Sequence, residues 1–230
     1  MSWDSLSSKE MPVTLRRNVV WGSFVTAVAL ACVAAYAQEK RAMSPQRTAS
    51  AHVLGKWSNV GKQTYVAGGG NYDGAKWIDV TYGSPIKRGR TLFGAGADYG
   101  KAVLLDTPIW RAGADVSTRL KTEVPLKFGT VTVAPGEYTL FVDLKENNWT
   151  FVVSRWAAQL RYDPNNKEQL WGSYGYTPDK DVVRVKMKLE PQTHSHEQLT
   201  WEFVDVTDKG GSLALTWDKT TAIVPFTFAG

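Results

Sequence analysis

Cysteine is nearly absent from this 230-residue chain: Cys32 is the only one. It sits in an apolar N-terminal segment that reads as a removable leader, so the mature chain is expected to hold no thiol and no disulfide. A core alone must then stabilise it, and the roughly 190 residues left after cleavage suffice for one. Histidine is also scarce, with only His52, His194 and His196. No G-x-S-x-G elbow is present either, which leaves serine-hydrolase chemistry without a motif. One-sided charge is missing too. The 27 lysines and arginines stand among 22 acidic residues for a net charge of +5, scattered along the chain, which gives no nucleic-acid footprint. After the leader there is no long amphipathic helical pattern, which argues against helix-built folds.

The leader itself has three parts. Met1 to about Arg17 is polar and ends in Arg16-Arg17, Val19 to Ala35 is almost wholly apolar, and Ala35-Tyr36-Ala37 puts small residues where a signal peptidase reads. Cleavage after Ala37 and export, periplasmic or secreted, are the expectation. Three alternatives use the same residues. The apolar stretch nears the roughly 17 to 25 residues of a spanning anchor, which would leave the protein membrane-attached through this segment alone. Cys32 after Ala29-Leu30-Ala31 suggests lipidation, although the apolar run continues past it to Tyr36. Arg16-Arg17 suggests twin-arginine export, but Leu15 stands where that signal has Ser or Thr, and nothing else asks for a cofactor loaded before export. No cofactor and no metal are expected.

What the rest of the chain does contain is strand punctuated by turns. Residues 38–55 are polar and small and read as a flexible lead, with a single domain over 56–230. The run Ala67 to Gly74 is glycine-rich, but β alternation follows it and no helix start, so a hairpin loop is expected there and no phosphate cradle. Val116 to Val124, Val131 to Val133, Tyr138 to Leu144 and Trp149 to Ser154 read as strands, the last two joined by Glu146-Asn147-Asn148 as a hairpin. Val183, Val185, Met187 and Leu189 alternate with Arg184, Lys186 and Lys188, and Leu199–Phe203, Leu213–Trp217 and Ile223–Phe228 repeat the pattern. Only Ser154–Leu160 and Asn165–Leu170 suggest short helical turns. The expected fold is all-β: an antiparallel β-sandwich, of jelly-roll type, with a closed barrel as the alternative.

Three signatures stand in the middle of the chain: Tyr82-Gly83-x-Pro85 with Arg88-Gly89-Arg90-x-x-Phe93-Gly94, then Trp110-Arg111-x-Gly113-Ala114, then Pro135-Gly136-x-Tyr138-x-Leu140-Phe141. With Trp149-Thr150 and Trp171-Gly172-x-Tyr174 they make the chain resemble the bacterial family DUF2911 over about Lys76 to Phe226. The resemblance implies an exported β-rich domain and assigns no reaction. Two departures stand out. Members carry Asn-Glu after the Gly-Ala pair, where this chain has Asp115-Val116, and Ala95 to Thr107 is longer than the usual connection.

The leading site candidates are Arg111 with Asp115, supported by Arg88, Arg90 and Trp110. A guanidinium offers a planar fork of donors to a carboxylate, phosphate or sugar hydroxyl, and Trp110 offers a stacking face. The competing reading is a salt bridge between Arg111 and Asp115 that locks a loop, with Trp110 turned to the core. Among the ten tryptophans, Trp149, Trp201 and Trp217 fall at inward positions, whereas Trp156, Tyr162, Trp171, Tyr174 and Tyr176 form a loop set suited to stacking on sugars. His194-Ser195-His196 follows Pro191-Gln192-Thr193, read as a turn, and lacks a third ligand. Glu137 and Asp143 are the carboxylate pair to test for glycoside hydrolysis, and both read as exposed. The functional expectation is a non-catalytic exported envelope protein binding a small polar ligand or glycan. A hydrolase of envelope carbohydrate or ester groups and a structural or assembly component are the alternatives.

Overall fold

The computed structural model describes residues 42–58 and 71–229. The leader over 1–37, Cys32 within it, and the glycines at 68–70 lie outside the described residues. Among the described residues, no helix is long and apolar enough to cross a membrane.

Strands occupy most of the described chain. They are β1 (Gln46–Val53), β2 (Lys56–Ser58), β3 (Asn71–Asp73), β4 (Lys76–Gly83), β5 (Thr118–Thr122), β6 (Leu126–Phe128) and β7 (Val131–Val133). They continue as β8 (Gly136–Asp143), β9 (Thr150–Ser154), β10 (Ala157–Ala158), β11 (Gln169–Leu170), β12 (Asp181–Lys186), β13 (Lys188–Val204) and β14 (Gly210–Phe228). One α-helical turn, α1 (Lys101–Leu104), follows a 3-10 turn at Gly96–Asp98 in the long connection between β4 and β5. The larger sheet has the order β1-β4-β5-β8-β9-β12 and the smaller β13-β14-β6-β7, all neighbours antiparallel. The antiparallel sandwich is as expected. Its larger sheet is a meander from which β6 and β7 make one excursion to the other sheet, and it lacks the interleaved order of a jelly roll.

Alternation along each strand decides what lies between the sheets. In β4 the inward residues are Ile78, Val80 and Tyr82; in β5 Leu120; in β8 Leu140 and Val142; in β9 Phe151 and Val153. They meet Leu199 and Trp201 of β13, Leu213, Leu215, Trp217, Val224 and Phe226 of β14, and Phe128 of β6. Phe151 packs on Phe128 at 5.2 Å between ring centroids and edge-on to Trp201 at 6.3 Å, so the two sheets share one core. The opposite face of the larger sheet is covered only in part. Phe141 and Val152 lie under Ile109, from the loop after α1, and under Trp156, Leu170 and Tyr176, from the stretch between β9 and β12. The rest of that outer face is polar, open over β1 and β4 and covered at Thr139 and Ser154, and its rows follow from the register. Thr48, Thr81, Arg119, Thr139 and Ser154 form one row across five strands, and Ser50, Asp79, Lys121 and Glu137 form the next.

Several local expectations are corrected. The lead expected to be flexible contains β1, whose Ala51 and Val53 face the core while His52 and Ser50 face outward. An edge strand with one covered face can be built from Ala, Thr and Ser, so little hydrophobic alternation marks it. The two segments expected to turn helically instead supply β10 and β11, a two-residue parallel pair. His194 and His196 do not sit in a turn. They lie in β13, where three more residues separate Pro191 from His196 than separate their partners Thr220 and Asp218, a bulge that takes up the Pro191-Gln192-Thr193 run. The alternation from Val183 to Leu189 is real, but it spans a corner. Val183 and Val185 belong to the larger sheet, and after Met187, whose N–H donates to Trp149 O at 2.9 Å, the chain enters the smaller one.

Candidate functional site

The turn Trp110–Asp115 is a packing device. Trp110 exchanges two backbone hydrogen bonds with Val142, and its indole is buried between Trp149, edge-on at 6.0 Å, and Trp217, stacked at 6.2 Å. It therefore offers no stacking face to a ligand. Ala112, in the left-handed region at φ 50°, accepts hydrogen bonds from Trp201 Nε1 at 2.9 Å and Thr118 Oγ1 at 3.2 Å. The turn presses on β4 so closely that a Cβ at Gly83 would stand 2.1 Å from Ala114 O, which explains why this motif position is glycine. Arg111 is 6 % exposed. Its Nη1 donates to the backbone oxygen of Asp115 at 2.9 Å, so the contact that locks the loop is to a carbonyl and not the expected carboxylate salt bridge. Gly172 lies over the guanidinium, where a Cβ would come within 2.4 Å of Nη1, and the Tyr174 ring lies 5.6 Å from Cζ.

Arg88 and Arg90 are exposed, on a loop tied to β13 and β14. Lys87 N donates to Glu197 O at 2.7 Å and Arg88 N to the Glu197 carboxylate. Lys87 Nζ pairs with Asp218 at 2.7 Å, and Ser195 Oγ donates to the same carboxylate at 2.6 Å. Burial alone would raise the Asp218 carboxyl, but these donors outweigh it and hold it below the usual carboxylate range. Arg90 spends its Nε and Nη2 on Lys87 O and Ile86 O. Arg90, Trp110, Arg111 and Asp115 do line one hollow of about 150 Å³, and Arg88 stands outside it.

A much larger concavity lies elsewhere among the described residues, on the outer face of the larger sheet. It is an open cleft of about 810 Å³ between β5 and β8 on one side and residues 155–169 on the other. Three arginines line it. Arg119, from the polar row of β5, has a buried Nε without a partner, and its Nη1 is 3.6 Å from Glu137 Oε1, a loose pairing. Arg155 and Arg161 are exposed and make no ion pair among the described residues. Leu160 and Tyr162, 66 % and 60 % exposed, form an amphipathic rim.

The loop that makes the far wall is held by one buried amide. Gln159 donates its Nε2 to Asn166 O and Gln169 O, both at 3.0 Å, and accepts the Asp163 N–H at 2.8 Å. Trp156 anchors the loop base through Nε1 to Thr177 O at 3.0 Å, with Lys180 Nζ 3.5 Å from its ring centroid. A loop fixed in this way presents its arginines without the ordering cost that a mobile loop would carry.

The expected aromatic loop set divides. Trp156 and Tyr176 are buried, Trp171 is half-buried, and Tyr162 and Tyr174 are exposed. Tyr162 meets Trp171 edge-on at 5.9 Å and separates the groove from a neighbouring hollow of about 250 Å³. Tyr176 donates to Asp181 at 2.5 Å, and burial followed by that carboxylate pushes its phenol well above the usual range. Asp143 is not simply exposed. It pairs with Arg184 at 2.6 Å, at the far end of β8 from Glu137. Six residues along a strand at about 3.3 Å each separate the two by about 20 Å, well beyond the roughly 5 to 9.5 Å of glycosidase carboxylates. They cannot act on one glycosidic bond.

Sequence reasoning missed Arg119, Arg155 and Arg161. Register alone brings β5 beside β8, and register is not written in composition. The usable signal was the stretch Arg155 to Asn166, where arginine, tyrosine and asparagine gather in a connection that a rigid scaffold presents.

Fold and groove together define an all-β sandwich with an arginine-lined cleft on the outer face of its larger sheet. Within that class the chain belongs to the family described as Protein of unknown function (DUF2911), whose model matches residues 69–226. Comparison with curated proteins and with solved structures gave no match.

Proposed function

We infer that this is an exported envelope protein that binds a small polar ligand or glycan bearing an anionic group in the groove, without catalysing a reaction. The observation that carries this reading is that three arginines with little or no ion pairing among the described residues line one concavity. An arginine fork forms paired, charge-assisted hydrogen bonds with carboxylate, phosphate or sulfate, and a cleft with an apolar rim and a few polar groups is the usual form of a small-molecule site. The carboxylates at hand favour binding over hydrolysis: Glu137 faces Arg119, and Asp163 Oδ1 accepts the Asn165 N–H at 2.9 Å in its own turn.

A thermal-shift screen of uronic acids, sugar phosphates, sulfated sugars and their neutral counterparts tests the reading. The anionic members should raise the melting temperature and the neutral ones should not. The double variant Arg155→Ala/Arg161→Ala should lose the shift while melting, without ligand, like the parent. A screen in which no anionic compound shifts the melting temperature overturns the reading.

A further inference from the structure

We propose that the ligand is a chain, an acidic oligosaccharide that runs from the groove across the open outer face to an exposed aromatic platform formed by Trp77, His52, Tyr72 and Trp57. The proposal rests on the groove reading above and extends it.

The platform and the groove share one face of one sheet. Trp77 alternates with the inward residues Ile78, Val80 and Tyr82, so it points to the same side as Thr81. Thr81 is register partner to Arg119, and Arg119 to Thr139, both of which line the groove. His52, register partner of Trp77, points the same way on β1.

The four rings hold one another in place. His52 stacks on Trp77 at 4.1 Å and 6°, Tyr72 meets His52 edge-on at 5.4 Å, and Trp57 leans on Tyr72 at 4.9 Å. Trp77 is further fixed through its backbone, which donates to Glu123 Oε2 at 2.9 Å and accepts the Glu123 N–H at 3.0 Å. Even so, Trp57 is 67 % and Trp77 46 % exposed. Rigid aromatic surface left open to water is costly for a fold and useful for a partner, because it binds without losing side-chain freedom.

The chemistry between the two ends is that of a sugar path. The row Ser50, Asp79, Lys121 and Glu137 crosses it, with Ser50 Oγ donating to Asp79 Oδ1 at 2.6 Å, and this row supplies donors and acceptors for hydroxyls. Glu123, opposite Trp77 and just past the end of β5, is four residues on from Arg119, about 13 Å at roughly 3.3 Å per residue. One sugar ring cannot reach both. A chain can, and an acidic one brings carboxylates to the arginines at one end and apolar ring faces to the indoles at the other. Joining two weak sites through one ligand raises affinity by effective concentration without any new contact.

Titration calorimetry with galacturonic acid and its dimer, tetramer and octamer tests this. The octamer should bind the parent protein at least about tenfold more tightly than the dimer. Trp57→Ala/Trp77→Ala should abolish that gain and leave dimer affinity unchanged, and Arg119→Ala should weaken dimer and octamer alike. Trp57→Ala alone, which touches only a surface ring, should remove part of the gain if the double variant folds poorly. Affinity that is independent of length, or a gain that survives in both tryptophan variants, overturns the chain ligand and leaves the groove reading standing. If no galacturonate binds, the acidic-glycan proposal fails, and the sugar phosphates and sulfates of the screen decide the groove reading independently.

Discussion

Arginine is used in two opposite ways on this molecule. At Arg111 the guanidinium is buried under Gly172 and Tyr174, and it donates to a backbone carbonyl of its own turn. Arg119, Arg155 and Arg161 line an open cleft, and among the described residues their one ion pair is a loose 3.6 Å contact from Arg119 to Glu137. The lesson is that the residues with the most distinctive spacing build the joint between strands. The residues with the most available chemistry lie on a strand face and a loop whose spacing announces nothing.

Substitutions can break that comparison, and the largest effect should come from Trp110→Ala. Removing a fully buried indole that packs on Trp149 and Trp217 should cost about 3 to 5 kcal/mol, measured by denaturant unfolding. A cost under about 1 kcal/mol would return Trp110 to the list of surface candidates. Arg111→Ala should come next, at about 1 to 3 kcal/mol, because it frees the Asp115 carbonyl and leaves a void beneath Gly172. Its groove affinity should equal that of the parent.

A smaller effect concerns the loop that carries Arg88 and Arg90. The Asp218 carboxyl is held below its unfolded value, so it contributes stability that is full above about pH 4 and is lost as pH falls through that region toward the folded value. The unfolded chain takes up the proton first, which favours unfolding. Asp218→Asn should therefore lower stability at neutral pH and flatten the acid limb of a stability–pH curve. An unchanged acid limb would mean that Lys87 and Ser195 do not hold this loop through Asp218.

The fold was largely readable because strands advertise themselves through alternation. Leu199, Trp201, Leu213, Leu215 and Trp217 are all buried at the inward positions that their spacing predicts. β1 was missed because an edge strand of Thr, Ala and Ser carries too little apolar contrast. The β13 bulge was missed because proline beside small polar residues looks the same in a turn and in an irregular strand. The site was less legible still. Arg119 acquires its meaning from Thr139 and Glu137 on a neighbouring strand, and Arg155 and Arg161 acquire theirs from a loop shape set by the buried amide of Gln159. Those are consequences of register and closure, which a linear pattern does not state.

The most direct test sets the two arginines side by side: the melting temperature of Arg119→Met and Arg111→Ala, each measured with and without an anionic sugar that stabilises the parent. Arg119→Met should melt close to the parent and lose the ligand-induced rise, whereas Arg111→Ala should melt lower and keep the full rise. The opposite pattern, with binding lost at Arg111 and kept at Arg119, would contradict the assignment of joint and site.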